Sequence, residues 1–303
     1  MKIAILSKGP GNYSTKRLKE EALRRGHEVD VINYVLCEAK IEQNNPVIVY
    51  NGEILTGYDA VIPRIASSFT RYGSAIVRQF EMQGVFTTAS SIAIVRSRDK
   101  LRSTQLLARA GIDIPKTIFS RGASDVDEVM KDLNGPPIII KLARGTHGRG
   151  VVLAETRKAA KSVIQSFYLM DEDGTNILLQ EYVEESAGTD IRAFVVGGQV
   201  VASMKRQNVD DDFRSNLHQG GTGSTVKLTD EERKVAQKAA RAMGLTICGV
   251  DMMRSKRGPL ILEVNSSPGF GIEQVTGRNV GEKIIEYVER NAKARHRKDR
   301  VGA

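Results

Sequence analysis

The chain has 303 residues, 41% of them hydrophobic and 27% charged, with a formal charge of +9. That composition excludes general disorder, and at ~100 to 200 residues per domain it implies two or three domains, each with a core of its own. The longest apolar stretches, Pro136 to Ile140 and Pro259 to Leu262, fall far short of the ~20 residues that span a bilayer. Ile3 to Leu6 is too short for a secretory signal and reads as a first strand. Cys37 and Cys248 supply neither a disulfide framework nor a metal pair, so a reducing compartment, the cytoplasm, is expected. Four scattered histidines lack zinc spacing, and no Gly-x-Ser-x-Gly elbow occurs. Residues 291 to 303 hold +4 of the charge, which leaves the body only modestly basic.

Taken in order, residues 1 to 95 alternate β segments (Lys2 to Leu6, His27 to Asn33, Ala60 to Ile65, Val85 to Thr88) with helical patterns near 14 to 25 and 73 to 83. This alternation predicts an α/β domain with a mostly parallel, doubly wound sheet. Lys8-Gly-Pro-Gly-Asn12 lacks the third glycine of a dinucleotide fingerprint and reads as a plain βα loop. One long helix is expected from Ile92 to Ala110, closed by Gly111. Residues 96 to 185 then predict a small α+β lobe. Residues 186 to 292 predict a hairpin turning at Gly197-Gly198, a helix from Asp230 to Met243, a second hairpin turning near Ser255 to Gly258, and a last helix near 280 to 292. A basic tail, 293 to 303, follows.

The sharpest chemical signal is the second hairpin. Strand alternation puts Glu263 and Asn265 on one face, and a turn centred near 256 to 257 brings Asp251 almost opposite Glu263. Two carboxylates on apolar strands repel one another, and a hard divalent cation bound by carboxylate and amide oxygens resolves the conflict. The bland alternative is that both acids are simply solvated on an exposed face. A second signal is Lys141 at the end of an apolar run, followed by Arg144-Gly-Thr-His-Gly-Arg-Gly150 and another strand. No Walker A pattern fits; a glycine-rich hairpin that closes over phosphates does, as does a hairpin with no ligand. Asp190-Ile-Arg192 opens a strand, and Asn216 stands beside Arg214 and Ser215 in a polar loop that suits phosphate contact or plain solvation. Lys100, with Arg96, Arg98 and Arg102, reads as a basic helix face open to solvent.

Together these residues resemble the RimK family of ATP-grasp ligases. The likeness covers nearly all of 1 to 290, including Pro63-Arg-Ile, Arg98-Asp-Lys-Leu-Arg102, Gln180-Glu-Tyr-Val183, Asp212-Phe-Arg-Ser-Asn-Leu-His218, Gly249-Val-Asp251 and Glu263-Val-Asn-Ser-Ser-Pro-Gly269. It implies an ATP-grasp fold in three lobes, with a pre-ATP-grasp domain first and ATP gripped between the other two. By position, Lys100 and Lys141 become nucleotide phosphate contacts, Glu181 and Tyr182 the hinge strand that reads the adenine edge, and Asp190 a nucleotide contact. Arg214, Ser215 and Asn216 become the phosphate-side loop. Asp251, Glu263 and Asn265 would hold two magnesium or manganese ions, and Arg192 is the candidate that steadies the acyl phosphate. The implied reaction adds free L-glutamate to the C-terminus of ribosomal protein six of the small subunit, using ATP, in a protein expected to be a homo-oligomer, with a tetramer among the candidate assemblies. The chain departs from the family pattern at Arg144, His147, Arg149 and Gln219, which leaves open a different acceptor, such as a coenzyme or carrier protein. A nucleotide- or RNA-binding regulator without catalysis is the remaining alternative, disfavoured by the absence of Trp and by aromatics at 5%.

Overall fold

A computed structural model describes residues 1–120, 126–142, 150–169, 177–208 and 222–292. The predicted loop residues Arg144, His147, Arg149, Arg214, Ser215, Asn216 and Gln219, and the basic tail, lie outside the described residues.

The chain opens with β1 (Lys2–Ser7), α1 (Tyr13–Arg24) and β2 (Glu28–Ile32). Three antiparallel strands that the sequence did not announce follow: β3 (Cys37–Glu42), β4 (Asn45–Tyr50) and β5 (Glu53–Ile54). β3 and β5 are largely exposed whereas the apolar β4 buries Ile48 and Val49, and Asn44 and Asn51 turn the strands through positive φ. Then come β6 (Ala60–Arg64), α2 (Thr70–Met82) and β7 (Phe86–Thr87), which complete a parallel sheet of order β2-β1-β6-β7. Both faces of β1 are covered: Ile3 and Ile5 pack with Leu18 and Ala22 of α1, and Ala4 and Leu6 with Ile76, Val77 and Phe80 of α2. Helices on both faces explain why β1 is an unbroken apolar run.

The expected helix from Ile92 to Ala110 is two helices, α3 (Ser91–Arg98) and α4 (Lys100–Arg109). Asp99 adopts extended backbone between them, and its carboxylate accepts the Arg102 backbone N–H at 2.9 Å, an N-cap in mid-pattern. The next part contains β8 (Thr117–Ser120), α5 (Val126–Asp132), β9 (Ile138–Leu142), β10 (Val151–Ala154), α6 (Arg157–Leu169) and β11 (Ile177–Glu181). Its antiparallel sheet, β10-β9-β11-β8, encloses a separate core around Ile138, Ile140, Ile164 and Leu179.

The last part has β12 (Thr189–Val196), β13 (Gln199–Gln207), β14 (Thr222–Thr225), α7 (Asp230–Met243), β15 (Ile247–Ser255), β16 (Gly258–Asn265), α8 (Gly271–Thr276) and α9 (Val280–Ala292). Its sheet runs β14-β13-β12-β15-β16. One face packs Ile191, Ala193, Val195 and Val250 against α7; toward the other, Phe194 and Met204 share a core with α9, α1 and β1. The first and last sheets thus share two continuous cores, whereas the middle sheet has its own. Ion pairs tie the chain ends together, including Arg24 to Glu282 at 2.6 Å and Arg25 to Glu289 at 2.6 Å. No helix among the described residues is long and apolar enough to cross a membrane.

Candidate active site

Cross-strand pairing assembles a polar patch on one face of the C-terminal sheet. Asp190 faces Arg206, Arg192 faces Asp251, Asp251 faces Glu263, and Gly249 faces Asn265. Directly opposed residues share a face, so side chains from four strands converge. A β-bulge leaves Leu262 as the extra residue between the Asp251–Glu263 and Met252–Ile261 pairs. Such a bulge re-aims side chains locally. Gly249 is required by close approach: a Cβ there would stand 3.1 Å from Pro268 Cβ and 3.5 Å from Arg192 Nε.

The guanidinium of Arg192 forks the Asp251 carboxylate, with Nε to Oδ1 at 2.7 Å and Nη2 to Oδ2 at 2.6 Å. Arg206 forks Asp190 at 2.6 and 2.5 Å, and its Nη2 also lies 2.9 Å from Asp251 Oδ2. Burial alone would raise the Asp251 pKa, yet the two guanidiniums outweigh it and hold this carboxyl well below the usual range. Burial likewise works against the Arg206 charge, and Asp251 and Asp190 overcome it and raise its pKa.

This arrangement corrects the electrostatic premise drawn from sequence. The conflict between Asp251 and Glu263 is relieved by arginines, and the two acids live in different surroundings. Asp251 is 2% exposed, whereas Glu263 is exposed and receives the Asn265 amide at 2.8 Å. The solvated reading therefore describes Glu263 and fails for Asp251. Arg192, the candidate for steadying the acyl phosphate, forks Asp251, and Asp190, the expected nucleotide contact, accepts the fork of Arg206.

Lys100 and Lys141 arrive from elsewhere. The break at Asp99 starts α4 at Lys100, whose Nζ donates to the Leu142 carbonyl at the end of β9 (2.9 Å). Lys141 on β9 donates to Gln180 Oε1 on β11 at 2.5 Å. Burial pushes the Lys141 ammonium down to about 8; Glu263 works against that shift and Lys100 adds to it. Burial also lowers Lys100, again opposed by Glu263. Lys100, Lys141 and Glu263 are therefore electrostatic neighbours although they come from three separate segments. The expected solvated basic face of one long helix is replaced by two cations, Arg98 and Lys100, turned into the protein.

Glu181 and Tyr182 sit where β11 ends. The Glu181 carboxylate accepts the Lys116 backbone N–H at 2.7 Å and pairs with Arg257 of the β15–β16 turn, so it straps the middle sheet to the C-terminal hairpin. Tyr182 is half-buried; burial, then Glu184 and Glu155, raise its phenol pKa.

Two further cations were missed as site residues. Arg64 ends β6, donating to Ser14 Oγ at 3.0 Å and to the Pro268 carbonyl at 2.7 Å, above the Phe270 ring. Arg98 donates to the Ile65 carbonyl at 2.9 Å. Burial pushes Arg64 down to about 10, with Arg98 adding to the shift; burial also lowers Arg98, against Glu263 and Tyr34. The signal available was Pro63-Arg64-Ile65, a cation at the carboxyl end of a buried parallel strand, where open α/β sheets bind ligands. Divalent magnesium fits the donor set: Glu263 keeps open lone pairs, Asn265 can rotate its amide oxygen forward, and Asp251 has the less engaged Oδ1.

The chain matches the RimK PreATP-grasp domain over residues 1–94 and the RimK-like ATP-grasp domain over residues 97–288. It is 54% identical over 302 residues to a protein of Picosynechococcus sp. (strain PCC 7002) named probable alpha-L-glutamate ligase, covering 99% of both chains. A protein of the same name from Vibrio atlanticus (strain LGP32) is 56% identical over 294 residues, 97% of each. Among solved structures, a RimK domain ATP-grasp protein from Sphaerobacter thermophilus superposes with a TM-score of 0.71 at 16% identity, covering 95% of this chain and 100% of that one. The ATP-grasp ligase PsnB, in complex with a minimal precursor, Mg and ADP, gives 0.73 at 18% identity, covering 96% and 98%. These last two likenesses speak to the fold alone. A pre-ATP-grasp sheet, a middle lobe carrying Lys141 and a C-terminal sheet carrying an acidic hairpin, matched end to end by both domains, make this chain a member of the RimK family of ATP-grasp ligases, an ATP-dependent carboxylate–amine ligase.

Proposed function

We propose that this chain is an ATP-dependent glutamate ligase that adds free L-glutamate to the C-terminus of ribosomal protein six of the small subunit. The observation that carries the reading is the end-to-end likeness to relatives named alpha-L-glutamate ligase. The site chemistry agrees, because every proposed substrate is an anion and the cations Arg64, Arg98, Lys100 and Lys141 have no carboxylate within ion-pair distance among the described residues.

In this reading Lys100 and Lys141 receive the ATP phosphates, and Arg214, Ser215 and Asn216 serve the phosphate side. Glu181 and Tyr182 border the adenine, and Asp190 acts through Arg206. Asp251, Glu263 and Asn265 would hold two magnesium or manganese ions, which when bound neutralise phosphate charge. The acceptor carboxylate attacks the γ-phosphoryl group, which releases ADP and leaves an acyl phosphate. The unprotonated glutamate amine then attacks the acyl carbon, the acyl C–O bond to phosphate breaks, and the proton shed by nitrogen leaves with the phosphate as the amide forms. No general base is needed in the first step, since the nucleophile is already ionised; the protein contributes position and positive charge. Arg192, fixed by Asp251, presents its outer edge to the acyl phosphate.

Incubation with ribosomal protein six, ATP, magnesium and glutamate should add whole glutamate units to its C-terminus by mass spectrometry. Glutamate-dependent phosphate release without that mass increase would transfer the reading to another acceptor.

A further inference from the structure

The parallel sheet has a place where its winding reverses. From β1 the chain crosses through α1 to β2 on one side, and the later strands β6 and β7 lie on the other. α1 and α2 cover opposite faces, so the topological switch point lies between the carboxyl ends of β1 and β6, the position at which open α/β sheets hold ligands in a crevice. Ser7 ends one strand and Arg64 ends the other.

Near this switch point stand donors that lack anionic partners among the described residues. Arg64 is bonded to a hydroxyl and one carbonyl, and Arg98 to one carbonyl. A guanidinium carries five N–H donors and a full charge, and neutral carbonyls satisfy little of either. Arg98 Nε is sealed from solvent without an acceptor. Ser266 and Ser267, in the loop whose Pro268 carbonyl Arg64 holds, have hydroxyls that are also buried and unbonded, with Ser266 only 4% exposed. Among the described residues no carboxylate approaches either arginine within ion-pair distance. Electrostatic reach orders the cations: Glu263 acts on Arg98, Lys100 and Lys141, whereas Arg64 feels Arg98.

We propose that this crevice seats the carboxylates of the amino acid that supplies the amine, with Arg64 and Arg98 as its two guanidinium clamps and the Ser266-Ser267 hydroxyls as auxiliary donors. Two guanidiniums match a dicarboxylic amino acid, and planar forks favour carboxylates over point charges. The hydrogen bond from Arg64 to the Pro268 carbonyl sets this seat beside the loop that follows β16, the strand that carries Glu263 and Asn265. The inference rests on the ligase reading above and adds to it the residues that select the amine substrate.

The test uses the full chain and the variants Arg64→Gln, Arg98→Gln and Arg98→Lys. Steady-state phosphate release should show a KM for glutamate raised about 10- to 100-fold in the Gln variants, the value of one or two charge-assisted bonds, with the KM for ATP and the thermal midpoint unchanged. Arg98→Lys keeps charge without the fork and should fall between. Calorimetric titration of glutamate into protein carrying a non-hydrolysable ATP analogue and magnesium reads the same seat without turnover, and glutamine, one carboxylate short, should bind more weakly than glutamate. If the wild type turns over glutamate and all variants keep its KM, the seat is wrong and the ligase reading stands. If the wild type does not turn over glutamate yet binds it through Arg64 and Arg98, the seat stands and the ligase reading falls. An equal loss for ATP and glutamate would show that the arginines hold the lobes together, and would overturn the proposal.

Discussion

The site contains two groups of cations built in opposite ways. On the C-terminal sheet, Arg192 and Arg206 meet Asp251 and Asp190 in buried forks. At the junction of the three sheets, Arg64, Arg98, Lys100 and Lys141 are held by carbonyl, hydroxyl and amide oxygens. The first group is electrically complete within the protein and fixes the shape of the catalytic face. The second carries desolvated charge with no carboxylate in ion-pair distance among the described residues, and burial lowers the pKa values of Lys141 and Arg64. The paired charges hold the proposed metal and acyl-phosphate residues in position, and the charges held by neutral oxygens are the ones left for the proposed anionic ligands.

The comparison breaks most readily at Arg206. Arg206→Met removes the guanidinium that bridges Asp190 and Asp251, and should cost about 3 to 5 kcal/mol in urea denaturation, the penalty for uncovering buried carboxylates. A loss under about 1 kcal/mol would show that the forks are not structural. Glu263→Ala should leave stability almost unchanged, because the side chain is exposed, while lowering ATP-dependent phosphate release by about 100- to 1,000-fold. Retained activity would remove Glu263 from the site.

Lys141→Met sharpens the contrast, because removing an unpaired buried cation should weaken ATP binding about tenfold or more by calorimetry without destabilising the fold. It also carries a pH signature. Burial takes Lys141 from the ordinary 10.5 to about 8 in the folded chain, so the unfolded chain holds this proton more tightly. Its contribution to stability therefore climbs as pH rises from about 8 to 10.5, and the penalty is present in full below 8. The variant should lack that climb in denaturation curves. Smallest is Asp99→Ala, which deletes an N-cap and should cost about 1 kcal/mol; a rise in the KM for ATP beyond that expected from stability alone would show that the helix break positions Lys100.

Much of the architecture was legible because its causes are local. The helix Asp230–Met243 carries its own capping box at Thr229 and Glu232 and its Gly244 stop at positive φ. The turn at Lys256-Arg257 sets the register as far as Met252–Ile261, and the bulge at Leu262 shifts it by the one residue that brings Asp251 opposite Glu263. Elsewhere the local pattern misled. Arg96, Arg98, Lys100 and Arg102 look like one solvated helix face in a continuous pattern, and only the cap at Asp99 separates them. The signal existed as Asp99 followed by Lys-Leu-Arg, but helical periodicity on both sides concealed it. The strands β3 to β5 were missed because β3 and β5 are mostly exposed and polar, and β4, though apolar and partly buried, is a short run without alternation.

By itself, the sequence determined the alternation of strands and helices, the acidic hairpin and the family, since period, turn chemistry and motif spacing are properties of neighbouring residues. Only the tertiary structure decided which charges are spent. Whether Arg192 is a free cation or the partner of Asp251, and whether Arg98 faces water or a crevice, depends on segments dozens of residues apart. Ionic free energy is set by distance and burial, which the order of residues along a chain does not contain.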